Sequence, residues 1–183
     1  MINIILTKSN TPAEQLSTKL DFEKTLFLDR DVISLEGDNK KSILQAIDRA
    51  HSKKQLVIYN ATSEDMLRFI VEKTHVDIVM GMEQICEKDS LHFVRGGLDQ
   101  ILCTFAKKTN KTFGFSFADI LNSPNRPRII RRIMFNLSLC QKYKIPVLFN
   151  NFSTDISEMR AAKDLAALER VLRKKGSFTL SQR

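Results

Sequence analysis

Three histidines, His51, His75 and His92, are the first residues to weigh for chemistry. A metal-dependent hydrolase needs several histidines and carboxylates converging on one edge, and a Ser-His or Cys-His nucleophile needs a base beside it. None of the three stands at an HxH or HxxxH spacing. His51 ends a helical segment, where a cation suits the dipole. His75 precedes an apolar run and His92 lies inside one. Each fits a structural role, so no catalytic residue and no metal ligand is expected. Asp38, Glu83 and Asp119 are the acids at candidate loop positions, and each stands alone in sequence. Cys86, Cys103 and Cys140 are odd in number and far apart. That excludes a disulfide scaffold and a CxxC zinc site, and reads as small buried hydrophobes in a reducing compartment. No cofactor is expected.

The strongest local signal is cationic. From Asn122 the chain reads NSPNRPRIIRRIMF to Phe135. Pro127 suits the first helical turn. At about 100° per residue, Ile129, Ile130, Ile133, Met134, Leu137 and Cys140 share one face, with Arg128, Arg131 and Arg132 opposite. Like charges at i and i+4 repel, so nothing inside the helix rewards Arg128 beside Arg132, whereas an external anion would. Arginine also suits bidentate phosphate contact. Asn125 and Arg126 precede the helix at the loop and join this candidate phosphate-binding set. The competing reading is a solvated face, or pairing with acids elsewhere in the fold. Phe135 and Leu139 lie on the arginine side and mark a covered surface, either for a partner protein or for a neighbouring helix. Arg95-Gly96-Gly97 joins an apolar run to a helical one, where glycine amides at a helix N-terminus hold anions. Lys107 and Lys108 end that helical segment.

These residues need positioning. The short apolar runs are Ile2–Leu6, Val32–Leu35, Leu56–Tyr59, Val76–Met80, Leu91–Val94, Phe113–Phe117 and Pro146–Phe149. They are rich in Ile, Val and Phe and mostly lack polar alternation, as strands buried on both faces do. Helical segments alternate with them: one opening at Thr11-Pro12-Ala13-Glu14, then 41–50, 62–73, 96–108, 127–142 and 157–175, the last stopped by Gly176. Strand-helix alternation implies a parallel sheet with right-handed crossovers. Two architectures fit, an open doubly wound sheet and a closed barrel. The barrel is preferred because no Gly-rich loop follows the first run. A full eight-unit barrel usually takes about 200 residues or more, so this would be a small one. The expectation is an α/β TIM-barrel-like domain of about seven parallel strands over residues 1–176, with 177–183 a short tail. Its strand-end loops are rich in amides: Thr7-Lys8-Ser9-Asn10, Glu36 to Lys41, Asn60-Ala61-Thr62, Gly81-Met82-Glu83, and Asn150-Asn151.

The 183 residues carry 29 Lys+Arg and 21 Asp+Glu, a net of +8. Residues 1–91 hold a net of −3 and residues 92–183 a net of +11. From Lys107 to Lys144 nine basic residues face one acid, Asp119. Such asymmetry favours a polyanionic partner. No apolar run approaches the roughly 18 residues of a membrane span, and the opening MINIILTKSN lacks a secretory pattern, so a cytoplasmic protein with no membrane partner is expected.

The order and spacing of several stretches resemble one family. They are Thr74-His-Val-Asp-Ile-Val, Asp89 to Leu102 (DSLHFVRGGLDQIL), Phe115-Ser-Phe-Ala-Asp-Ile-Leu, the Asn125-Arg126 helix start, the Lys-Ile-Pro entry at Lys144, and Ser157-Glu-Met-Arg followed by Asp164-Leu-Ala-Ala-Leu. Across about residues 56–175 the chain resembles protein component 3 of archaeal ribonuclease P. That is the family of the thirty-kilodalton subunit of eukaryotic ribonuclease P and ribonuclease MRP. The resemblance implies a TIM-barrel-like fold related to metal-dependent phosphoesterases but without their metal-binding residues. It also implies a non-catalytic subunit of the ribonucleoprotein endonuclease that removes the 5′ leader of precursor tRNA. The catalytic centre is then the RNA. The implied partners are ribonuclease P RNA, precursor tRNA, a small ferredoxin-like protein subunit and further protein subunits. A free-standing metal-dependent phosphoesterase barrel and a purely protein-binding scaffold remain as alternatives on the residues themselves.

Overall fold

A computed structural model of the chain describes residues 1–90 and 92–173. Seven strands alternate with helices: β1 (Ile2–Lys8), α1 (Thr11–Lys19), β2 (Lys24–Leu28), β3 (Val32–Leu35), α2 (Lys40–Ser52), β4 (Leu56–Asn60), α3 (Glu64–Lys73), β5 (Ile78–Met80), α4 (Gln100–Lys108), β6 (Thr112–Ser116), α5 (Phe117–Asn122), α6 (Arg126–Tyr143), β7 (Val147–Asn150) and α7 (Ala162–Arg173). Every strand pair is parallel, and the order in the sheet is the order in the chain, β1 to β7. A doubly wound sheet reverses direction at a switch point. This one does not, which is the TIM-barrel-like arrangement.

The sheet curls until its edges meet. The carboxamide of Asn150 behaves as one more peptide unit: its Nδ2 donates to the Ile2 carbonyl at 2.7 Å, and its Oδ1 accepts from the Ile4 N–H at 2.9 Å. The backbone then continues the pairing, Phe152 N–H to the Ile4 carbonyl at 3.0 Å and Leu6 N–H to the Ser153 carbonyl at 2.7 Å. Inside the barrel Ile4, Val32, Ile58, Ile78, Met80 and Phe152 form one apolar cluster. The Phe152 ring occupies the lumen beside Gly114, where a Cβ would stand 2.8 Å from Ile78 Cγ2 and 3.3 Å from the ring. Outside, Val57, Tyr59, Val79, Phe113, Phe115 and Phe149 meet the helices in the larger core.

Capping explains where the helices start. Asn10, Asn39, Ser63, Asp99, Ser116 and Asn125 each accept a backbone N–H three residues on, satisfying an orphan donor of the first turn. Two elements depart from the sequence reading. The run Leu91–Val94 was expected as a strand, but residues 92–94 form no strand and Leu91 lies outside the described residues. The seventh strand is instead β2, whose Lys24 and Thr25 masked an apolar core at Phe27. The last long helix was expected from Ser157 to Lys175. Its start is replaced by a 3₁₀ turn at Ile156–Glu158 and a break at Met159 to Ala161 before α7. Lys174, Lys175, Gly176 and the tail 177–183 lie outside the described residues.

Candidate nucleic-acid interface

The barrel mouth collects the strand-end loops, and it carries carboxylates. Glu36, Asp119 and Glu158 line a cavity of about 390 Å³ with Asn60, Gln84 and Asn122. Each acid is held by an amide: Asn60 Nδ2 donates to Glu36 at 3.4 Å, Gln84 Nε2 to Asp119 at 2.7 Å, and Asn122 Nδ2 to Glu158 at 2.6 Å. Burial raises the Asp119 pKa, against the Ser116 and Gln84 hydrogen bonds. The amides hold the carboxylates without cancelling their charge, so the mouth offers little to a polyanion. Among the described residues no group of three His, Cys, Asp or Glu stands close enough to hold a metal ion.

Four arginines lie beside the mouth, around the N-terminal half of α6, and they divide by environment. Arg126 is exposed and its Nε and Nη2 donate to the Leu121 carbonyl at 3.1 and 2.7 Å, closing the end of α5. Arg128 is half-buried, with Nη1 on the Glu87 carbonyl at 2.8 Å. Arg131 is exposed, with Nη2 3.9 Å from Asp89. Arg132 corrects the helical-wheel expectation, because it points inward and is 1% exposed. Its Nε donates to Asp89 Oδ1 at 2.9 Å, and its Nη1 to the Glu83 and Cys86 carbonyls at 2.9 and 2.6 Å. The 82–89 segment, folded over α6, supplies the partners that the wheel could not show. Asn125 Oδ1 caps the helix on the Arg128 N–H.

Burial alone would raise the Asp89 pKa, but the Arg95 N–H and the Arg132 and Arg131 guanidiniums hold it below the usual carboxylate range. Glu83 is the opposite case. Fully buried in the 3₁₀ turn Met82–Gln84, with neither carboxyl oxygen hydrogen-bonded, it is pushed up to about 8 by desolvation and by Asp119, with Arg132 opposing.

The Arg95-Gly96-Gly97 turn does not sit at a helix N-terminus, because α4 begins at Gln100 under its Asp99 cap. The glycines serve close approach. A Cβ on Gly96 would stand 2.3 Å from Asn136 Oδ1, and one on Gly97 2.0 Å from the Met82 carbonyl. Asn136 Nδ2 donates to the Gly96 carbonyl at 2.6 Å. Arg95 itself is exposed, with its guanidinium 5.8 Å from the Phe93 ring centroid. Lys107 and Lys108 are exposed at the end of α4.

Phe135 and Leu139 are half-buried and line a groove of about 730 Å³ between α3, α4 and α6. Phe93, 58% exposed, and Ile101, 57% exposed, line the same groove. Sequence reasoning missed Phe93 because it was assigned to a strand. Ile101 was legible, since it lies opposite the inward Leu102, Cys103 and Ala106 of α4.

No family model matches the chain. Curated relatives do. A protein of Methanococcus maripaludis strain C7 named Ribonuclease P protein component 3 is 24% identical over 135 residues, 73% of this chain and 55% of its own length. The component 3 protein of strain S2 is 24% identical over 155 residues, 83% of this chain and 64% of its own. The chain thus spans between half and two thirds of the length of the curated relatives it matches. Among solved structures, a chain of a cryo-EM structure of archaeal ribonuclease P with mature tRNA superposes with a TM-score of 0.81 at 16% identity, covering 95% of this chain and 83% of that one. That likeness bears out the fold.

Proposed function

From the premise that the chain is a homologue of archaeal ribonuclease P protein component 3, we propose that it is a non-catalytic protein subunit of a cytoplasmic ribonuclease P. Its barrel, residues 1–176, binds and stabilises the RNA that removes the 5′ leader of precursor tRNA. The observation that carries this reading is the match of 135 to 155 residues to proteins of that name. The positive charge supports it. Arg95, Arg126 and Arg131 are exposed, with Asn125 and Arg128 beside them, while Lys107 and Lys108 are exposed at the far, C-terminal end of α4. Their chemistry suits phosphate contacts, each releasing about one counterion. Arg132 acts in this interface as the buried post that holds the 82–89 segment against α6. Among the described residues no helix is long and apolar enough to cross a membrane.

The groove holding Phe135 and Leu139 is the proposed docking surface for a small ferredoxin-like subunit, with other protein subunits completing the particle. Reconstitution tests both parts. The purified chain alone cleaves no precursor tRNA. Co-purified with its native partners it brings down ribonuclease P RNA and a small protein subunit, and a Phe135→Ala, Leu139→Ala double variant loses the small subunit while it still brings down the RNA. Cleavage by rigorously purified chain, or native co-purification with neither RNA nor a small subunit, overturns the reading.

A further inference from the structure

A cavity of about 490 Å³ opens between α5, the first turns of α6 and the 84–87 segment. Its walls include Arg128 and Arg132, and each guanidinium keeps one buried nitrogen without an acceptor: Nε of Arg128 and Nη2 of Arg132. Arg132 is 99% removed from solvent, and its remaining donors are committed to Asp89, Glu83 and Cys86. A buried charged donor left unpaired is costly, and the two residues that carry one both line this recess, so an acceptor bound there would satisfy them. Among the described residues Arg128 joins no ion pair, and the Glu87 carbonyl on Nη1 fixes its fork in place. Two acids share the wall. Glu87 contributes that carbonyl and is itself exposed, while Asp119 already accepts from Gln84.

We propose that this recess binds the phosphate of a single nucleotide, with Arg128 and Arg132 as its donors. The proposal rests on the RNA-binding reading above and narrows it from a cationic surface to one pocket. Guanidinium forks match a phosphate better than a halide, because planar paired donors meet paired oxygens. The volume is that of a small-molecule site and exceeds a bare ion. Ile85, Pro124 and Ile129 give it an apolar side against which the attached sugar lies.

The test is calorimetry on the chain at constant ionic strength with adenosine 5′-monophosphate, inorganic phosphate and adenosine. The monophosphate binds at one site, inorganic phosphate competes with it, and adenosine binds at least tenfold more weakly. Arg128→Ala weakens the monophosphate at least tenfold, while Lys53→Ala, an exposed residue remote in sequence from the recess, changes it less than twofold. In the unmodified chain the monophosphate shifts the Arg128 Nε–H resonance, a readout independent of how well the variant folds. Equal binding of monophosphate and adenosine, an unmoved resonance, or equal effects of the two variants overturns the proposal. Two arms with a short oligoribonucleotide, with and without a 5′-phosphate, separate a terminal phosphate from a backbone one as the occupant. Loss of all oligoribonucleotide binding with monophosphate binding intact defeats the RNA reading alone. The reverse result defeats the pocket alone.

Discussion

Two arginines one residue apart, Arg131 and Arg132, look alike in sequence and do different work. Arg132 is buried with Asp89 as its counterion, so Arg132→Ala strands a carboxylate and frees two carbonyls. A loss of about 3 kcal/mol or more in urea unfolding is expected. Arg131→Ala changes stability by less than about 0.5 kcal/mol, since the site is exposed. It lowers the slope of log affinity for RNA against log salt by about one unit. If the two variants unfold at the same urea concentration, the division between post and contact is wrong. Glu83 gives a pH signature. Its folded pKa, pushed up to about 8, lies above the ordinary 4.5, so the unfolded chain ionises across that window while the folded chain does not. Stability from this group is intact below about 4.5 and falls as pH rises to about 8. Glu83→Gln removes the dependence, and urea midpoints at pH 5 and pH 8 should lie closer together in the variant than in the unmodified chain. The cysteines supply a third measurement. Burial pushes Cys103 up to about 11 and Cys140 up to about 12, whereas Cys86 is partly accessible. An aromatic disulfide reagent should titrate one thiol in native protein and three in urea.

At the scale of elements, the alternation of apolar runs and capped helices was legible because each strand buries both faces. The residues Val57, Ile58 and Tyr59 of β4 are all buried, and so are Ile78, Val79 and Met80 of β5. The misassigned run shows the limit. Residues 92–94 are apolar enough for a strand, yet the glycines that follow must pack against Asn136 and Met82, and that tertiary demand decides the backbone. The orientation of α6 was half legible. Its apolar positions point inward as the period requires, but Arg132 joins them because the 82–89 segment brings acceptors from more than forty residues upstream. The amide-held acids at the mouth were not legible, since Glu158 and Asn122 meet only through the fold. Asn150 lets the closure of the sheet be tested. Asn150→Leu removes both side-chain bonds to β1 and leaves the Ile4 N–H without its acceptor. Destabilisation of about 2–4 kcal/mol is expected, with hydrogen exchange accelerated at the Ile4 amide before other strands. Unchanged protection there would mean that Asn150 does not hold the seam.

At the scale of the whole molecule, charge and apolar surface are separated. The acidic mouth joins Glu36 of the first half to Asp119 and Glu158 of the second, the cationic face flanks it around α6, and the Phe135 groove lies between α3, α4 and α6, so each selects a different kind of contact. RNA binding that keeps its strength between low and moderate salt would contradict this arrangement. The seam has a further consequence, in the order of synthesis. Strand β1 is made before the other strands of the sheet, and its second neighbour, the segment 150–153, only after β2 to β6. At the usual 5–20 residues per second a ribosome takes on the order of ten seconds to bridge that interval. Throughout it the growing chain carries an open strand edge with no native mate. A circular permutant whose new ends fall in the loop at Gly37 would deliver β7 and β1 together and move the waiting edge from β1 to β4, whose partner β3 would then come after all the other strands.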